Sequence, residues 1–177
     1  MRVIIRWAIV IGYDEALFSF PASKPQEMSG KPDTLQRREV VTAFLRHAGR
    51  ILLVRRSDRV GTYRGRWSGI SGYLEKTEPL DQVRCEIQEE TGLAPDSCRL
   101  ASAGEPLVIT DVDIGVQWKV HLFLFDIDDP AAIRLDWENR ELVWVEPGEL
   151  ARYPTVPALQ EALENCLRRE QATQAQQ

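Results

Sequence analysis

The chain has 177 residues, which suits one domain of ordinary size and is too short for two. Its 44% hydrophobic and 28% charged content is typical of a soluble globular protein, and the net charge of −5 argues against non-specific nucleic-acid binding. The cysteines, Cys85, Cys98 and Cys166, are odd in number and lack paired metal-ligand spacing, which favours a reducing, cytoplasmic setting.

The first 37 residues are predicted to form an N-terminal extension. Residues 3–13 are apolar, but Arg6 interrupts them and they are too few for a membrane-spanning helix, which needs about 20 residues. They also lack the small-residue cleavage site of a signal peptide. Their β-branched content favours a strand, either at a sheet edge or in the contact of a homodimer. Residues 21–34 indicate a linker, and the alternative is an extension without any role in the chemistry.

Two strands and a basic loop are predicted next. Residues 39–46 and 50–56 are rich in β-branched residues, and a turn at residues 47–49 joins them. Residues 57–67 carry glycines and arginines and indicate a loop. Loops held on a rigid sheet commonly carry binding groups, and the alternative is a solvated basic loop.

A helix is predicted from Pro79 to the residue before Gly92. Pro79 suits a first helical position, and Gly92 suits a left-handed C-terminal cap. Leu80, Val83 and Ile87 recur at helical spacing and form an apolar stripe.

Three glutamates border this stripe. At about 100° per residue, Glu86, Glu89 and Glu90 fall within an arc of roughly 100°. Carboxylates crowded beside a core repel one another unless a cation neutralises them, and such oxygen ligands suit Mg²⁺ or Mn²⁺. The alternative is an exposed, glutamate-rich helix with Arg84 as a local partner. Spacing alone leaves both interpretations open.

More strands and a second helix are predicted after the glutamates. Residues 99–110 and 116–126 indicate two strands, and the second is apolar on both faces, as a central covered strand would be. A strand at residues 141–146, a helical turn from Pro147 and a helix over residues 157–168 follow. Residues 171–177 have little to bury and predict a frayed tail. This order of elements indicates an α/β fold with layered helices and strands.

Residues 71–93 resemble the Nudix box, G-x5-E-x7-R-E-U-x-E-E-x-G-U, in which U is a bulky apolar residue. The matching positions are Gly72, Glu78, Glu86, Ile87, Glu89, Glu90, Gly92 and Leu93. The order of elements is similar to a Nudix domain over residues 38–170. The resemblance implies an α/β/α sandwich with a mixed β-sheet.

Two departures from the box stand out. The spacing from Glu78 to Glu86 is one residue shorter than the pattern, and Cys85 occupies the position of the box arginine. In the family that arginine positions a metal-binding glutamate, and a thiol lacks the fork of donors of a guanidinium. Arg84 points about 100° away around the helix.

The resemblance implies a metal-dependent hydrolase that cleaves the diphosphate bond of a nucleoside diphosphate linked to another moiety. Glu86, Glu89 and Glu90 take the catalytic and metal-binding roles, and the backbone around Gly72 supplies a further ligand. The expected cofactor is Mg²⁺, with Mn²⁺ as the alternative. The departures leave a second function open, a Nudix-fold nucleotide-binding or regulatory module with weak or no catalysis.

Substrate contacts are expected from the end of the second strand and from the basic loop. Arg55, Arg56 and Arg66 would bind phosphates, since guanidinium pairs with phosphate oxygens. Trp67 would stack on a base, unless it belongs to the core. An additional acid is expected at Glu138 or Glu141, where some members of the family place one. The implied partner is a small nucleotide or diphosphate, with neither a membrane nor an extended nucleic acid.

Overall fold

The computed structural model describes residues 35–176, which form a mixed β-sheet with helices against it. The strands are β1 (Gln36–His47), β2 (Arg50–Arg56), β3 (Trp67–Ser68), β4 (Ile70–Tyr73), β5 (Cys98–Ala103), β6 (Leu107–Asp111), β7 (Val116–Ile127) and β8 (Asn139–Val145). The helices are α1 (Pro79–Thr91) and α2 (Leu159–Gln174), with 3₁₀ turns at Pro95–Ser97, Pro130–Ala132 and Pro147–Arg152. This arrangement confirms the α/β class and the mixed sheet.

Strands β1 and β7 form the centre of the sheet. They run parallel from the pair Gln36 and Val116 to the pair Arg46 and Asp126, whereas the other strand pairs are antiparallel. Their alternating side chains fill two cores, because successive residues of a strand point to opposite faces. In β7 the even-numbered Leu122 and Leu124 pack in the core that α2 covers, and the odd-numbered Phe123 and Phe125 pack in the core that α1 covers. The doubly covered central strand is therefore confirmed.

Helix α1 follows its sequence signals closely. It begins at Pro79, and Gly92 adopts φ 70° and donates its N–H to Gln88 O at 2.9 Å. Val83 and Ile87 are buried against β1 and β7, and each contributes about 1.5–3 kcal/mol by leaving water. The apolar stripe thus fixes which way the rest of the helix faces.

The single strand expected over residues 99–110 is wrong, because the structure divides it into β5 and β6. Gly104 donates its N–H to Leu122 O at 2.9 Å, and Asn165 Oδ1 accepts the N–H of Glu105 at 3.0 Å. Pro106 has no N–H to continue a ladder, so the chain changes its pairing along β7 at this point.

Helix α2 buries the expected face, Leu159, Ala162, Leu163 and Cys166, but extends past the expected end at Arg168 to Gln174. The predicted N-terminal strand and linker lie outside the described residues, and the homodimer predicted from them stays a prediction. No helix within residues 35–176 is long and apolar enough to cross a membrane.

Candidate active site

The carboxylate of Glu90 is buried where α1 meets β4 and β8. Its side chain is 4% exposed because it follows the same helical face as Val83 and Ile87. Oε1 accepts a hydrogen bond from the backbone N–H of Ser71 at 2.9 Å, and Oε2 accepts one from Nδ2 of Asn139 at 2.6 Å. Both carboxylate oxygens therefore have neutral donors from two different strands.

Glu86 lies one helical turn earlier and is 6% exposed. Its Oε1 accepts Nε2 of Gln82 at 2.7 Å. A Cβ at residue 72 would overlap the Glu86 carboxylate, so the absence of a side chain at Gly72 makes room for it. The structure thus brings together Gly72, Glu86 and Glu90, which the sequence grouped.

Burial without a counter-charge perturbs both acids. Burial raises the pKa of Glu86 from 4.5 to about 7, against the hydrogen bond from Gln82. Burial also raises the pKa of Glu90 well above its usual range, and the charge of Glu138 adds to it. Within the described residues neither carboxylate forms an ion pair with a lysine or arginine. The hydrogen-bond donors to both carboxylates are amide N–H groups. Perturbed acids of this kind mark candidate functional sites.

Glu138 adds a third acid beside this pair. It precedes β8, and its own N–H donates to Asp136 Oδ1 at 2.9 Å. Burial raises the pKa of Glu138, the charge of Asp136 raises it further and Arg56 lowers it. Glu138 therefore lies near the buried glutamates, whereas Glu141 is paired with Arg55 at 2.6 Å.

Glu89 lies on the exposed side of the same helix. Its charge contributes to the raised pKa of Glu86, but its carboxylate makes no hydrogen bond with the residues that the structure describes. It is therefore close to the pair and open to solvent.

These carboxylates suit a hard divalent cation. No three His, Cys, Asp or Glu side chains in residues 35–176 enclose a metal position by themselves. Mg²⁺, however, usually keeps several waters and binds through one or two carboxylates plus substrate phosphates. Glu86 and Glu90 supply two buried carboxylates that carry hydrogen bonds but no neutralising charge. The chemistry of the residues fits a partly hydrated ion.

The two arginines at the end of β2 mainly organise the basic loop that follows them. Arg55 Nε donates to Gly65 O at 3.1 Å, and Arg56 Nε donates to Thr62 O at 3.1 Å. Arg66 is exposed and has no side-chain hydrogen bond or ion pair with the described residues. Of these cations, Arg56 is close enough to the acids to lower the pKa of Glu138.

Trp67 occupies the core. It is 9% exposed and meets the ring of Tyr153 edge-on, with the ring centroids 5.5 Å apart. The Arg55 guanidinium lies 6.0 Å from its ring centroid. Trp67 therefore has a packing role, which was the alternative to base stacking.

Sequence reasoning missed two amide residues of the site, Gln82 and Asn139. The signal for Gln82 was available, since residues four apart on a helix are neighbours and Glu86 is four residues later. Asn139 lies far along the chain and gave no such signal. The thiol of Cys85 accepts a hydrogen bond from Lys76 Nζ at 2.8 Å and forms none with either buried glutamate.

The comparisons with known proteins support the family resemblance seen in the sequence. Residues 35–166 match the model of the NUDIX domain. The nucleoside triphosphatase NudI of Escherichia fergusonii is 27% identical over 128 residues, which are 67% of this chain and 89% of that protein.

Solved structures agree as well. A MutT NUDIX hydrolase from Burkholderia pseudomallei superimposes with a TM-score of 0.57 at 26% identity, over 73% of this chain and 98% of that one. The Nudix hydrolase RenU from M. smegmatis shares the fold with a TM-score of 0.59 at 19% identity, over 79% of this chain and 88% of that one. The domain match, which spans most of the chain, shows that this protein belongs to the Nudix hydrolase family.

Proposed function

We propose that this protein is a divalent-metal-dependent pyrophosphohydrolase that cleaves the diphosphate bond of a nucleoside diphosphate linked to another moiety. The supporting observation is the pair of buried glutamates, Glu86 and Glu90, which no lysine or arginine neutralises within the described residues. A nucleoside triphosphate belongs to this substrate class, and the name of the NudI relative favours it.

Glu86 and Glu90 would hold the ion, with the backbone around Gly72 as a further ligand and Glu89 on the solvent side. Mg²⁺ is the proposed ion and Mn²⁺ the alternative, because all the donors are hard oxygens. When bound, the ion neutralises phosphate oxygens and lowers the pKa of a water molecule.

The other residues bind substrate and move the proton. Glu89 at the surface and Glu138 beside Glu90 are the carboxylates that would accept a proton from the attacking water. The raised pKa of Glu138 brings it closer to the working pH of a general base. Arg56, the cation that lowers the pKa of Glu138, would bind a substrate phosphate, and the exposed Arg66 would bind another.

A second function stays in view because Cys85 replaces the box arginine. A nucleotide-binding or regulatory module would keep the fold and bind ligand without turnover. The three cysteines are free, and we propose a reducing, cytoplasmic setting for either function.

The test is a panel of nucleoside triphosphates, nucleoside diphosphate sugars and dinucleoside polyphosphates with Mg²⁺ or Mn²⁺. We expect metal-dependent release of a nucleoside monophosphate or of pyrophosphate, and at least a hundredfold loss in Glu90→Gln, in line with removal of a metal-bound group. Glu161→Gln makes the same charge change on the exposed side of α2 and should retain full activity. Tight nucleotide binding without turnover at any metal concentration would favour the binding module instead.

A further inference from the structure

A buried side chain joins the loop before α1 to one of the candidate metal ligands. Gln82 is 5% exposed. Its Oε1 accepts the backbone N–H groups of Glu75 at 3.1 Å and Lys76 at 3.0 Å, and its Nε2 donates to Glu86 Oε1 at 2.7 Å. One amide group thus links the loop at residues 75–76 to the Glu86 carboxylate.

The chemistry of these partners fixes the orientation of the amide. Backbone N–H groups can only donate, so the atom that faces Glu75 and Lys76 must be the oxygen. The NH₂ group then points at Glu86, whose ionised carboxylate can accept its hydrogen bond. The reversed amide would bring NH₂ against two N–H donors and oxygen against a carboxylate, leaving buried polar groups unpaired.

The neighbouring position does not perform this task. Cys85 precedes Glu86, but its Sγ accepts a hydrogen bond from Lys76 Nζ and forms none with Glu86 or Glu90. The connection between the loop and the Glu86 carboxylate therefore passes through Gln82, one helical turn earlier.

We propose that Gln82 is a positioning residue that holds the Glu86 carboxylate in its metal-binding orientation and fixes the loop at residues 75–76. The first part rests on the proposed function, and the second part stands on the hydrogen bonds alone. Groups that orient metal ligands in this way typically change metal affinity by about 10–100-fold when they are removed.

Gln82→Leu removes both kinds of hydrogen bond with little change in side-chain volume. Gln88→Leu is the matched control, since Gln88 lies on the same helix, is exposed and makes no side-chain hydrogen bond in the described part of the chain. Three measurements separate the roles: the Mn²⁺ dissociation constant from electron paramagnetic resonance, amide hydrogen exchange at residues 75 and 76, and the activity as a function of Mg²⁺ concentration.

In Gln82→Leu we expect the Mn²⁺ dissociation constant to rise about tenfold or more and the two amides to exchange faster. Its activity should fall at low Mg²⁺ and recover at high Mg²⁺, which a general loss of structure would not allow. Gln88→Leu should match the wild type in all three. If Gln82→Leu fails to fold, Gln82→Asn takes its place in the test. It keeps the amide on a shorter side chain, which cannot span the same distances, and should show the same pattern.

Wild-type Mn²⁺ affinity in a folded Gln82→Leu would overturn the positioning role while leaving the proposed function intact. A wild-type protein that binds no Mn²⁺ would overturn the proposed function and the metal part of this inference together. Unchanged exchange at residues 75 and 76 would overturn the loop contact by itself.

Discussion

Replacing Glu86 with glutamine should stabilise the metal-free protein in alkaline solution. The Glu86 side chain is 6% exposed, and burial raises its pKa from 4.5 to about 7. Each pKa unit corresponds to about 1.4 kcal/mol, so the ionised carboxylate costs the folded state about 3 kcal/mol. Glutamine has nearly the same shape and can still accept the hydrogen bond from Gln82, but it carries no charge.

The sign of the pH dependence follows from the raised pKa of Glu86. Below pH 4.5 the folded and the unfolded state both hold the proton, and the side chain imposes no penalty. Between 4.5 and about 7 the folded state keeps a proton that the unfolded state has lost, so the free energy of unfolding falls as the pH rises. Above about 7 the full cost is present. The charges of Glu89, Glu138 and Glu75 all act in the same direction.

The measurement is urea unfolding of wild type and Glu86→Gln in EDTA, at about pH 5 and about pH 8. The variant should be more stable by about 3 kcal/mol at the higher pH, with a much smaller difference at the lower pH. Glu161→Gln is the control for a charge removed from an exposed helix and should change little at either pH. An equal difference at both pH values, or a wild type that is the more stable protein at pH 8 without metal, would refute the reasoning.

Three further substitutions test other parts of the site. Gly72→Ala should displace the Glu86 carboxylate, because a Cβ at residue 72 would overlap it, and should abolish metal-dependent activity. Circular dichroism should show that the fold is retained, and full activity would contradict the close contact. Asn139→Leu removes the donor to Glu90 at 2.6 Å and should cost about 1–3 kcal/mol in urea unfolding at neutral pH, whereas an unchanged midpoint would show that the bond contributes nothing. Cys85→Ala should leave kcat/KM unchanged, because the thiol forms its hydrogen bond with Lys76 and none with either glutamate, and a large loss of activity would assign it a role in the site.

Local signals were enough to predict the main helix and the family. Pro79 and Gly92 define the ends of α1 through backbone effects that need no tertiary partner, and the structure begins and ends the helix there. The apolar spacing that buries Val83 and Ile87 also determines the direction of Glu86, since all three lie on one rigid helix. Local geometry therefore placed the glutamates together beside the core, and the resemblance to the Nudix box gave them their predicted metal-binding role.

The missed features depend on contacts between distant parts of the chain. Asn139 reaches Glu90 from the start of β8, and nothing near either residue in the sequence indicates the pairing. The division between β5 and β6 follows from contacts of residues 104 and 105 with β7 and α2. Trp67 belongs to the core because Tyr153, far along the chain, packs against it. Local propensity and residue spacing carry no information about these contacts between distant residues.

The hydrogen-bond donors around the two buried glutamates suit the proposed metal site. Gln82, Asn139 and the N–H of Ser71 orient the carboxylates, yet neutral amides leave the charge of the carboxylates in place. A lysine or arginine at those positions would neutralise the acids, lower their pKa values and compete directly with a metal ion. Amides hold the geometry and preserve the negative potential, so the metal-free fold carries an electrostatic cost that a divalent cation would relieve. The instability predicted for the metal-free protein at high pH and the proposed affinity for metal thus have one physical origin.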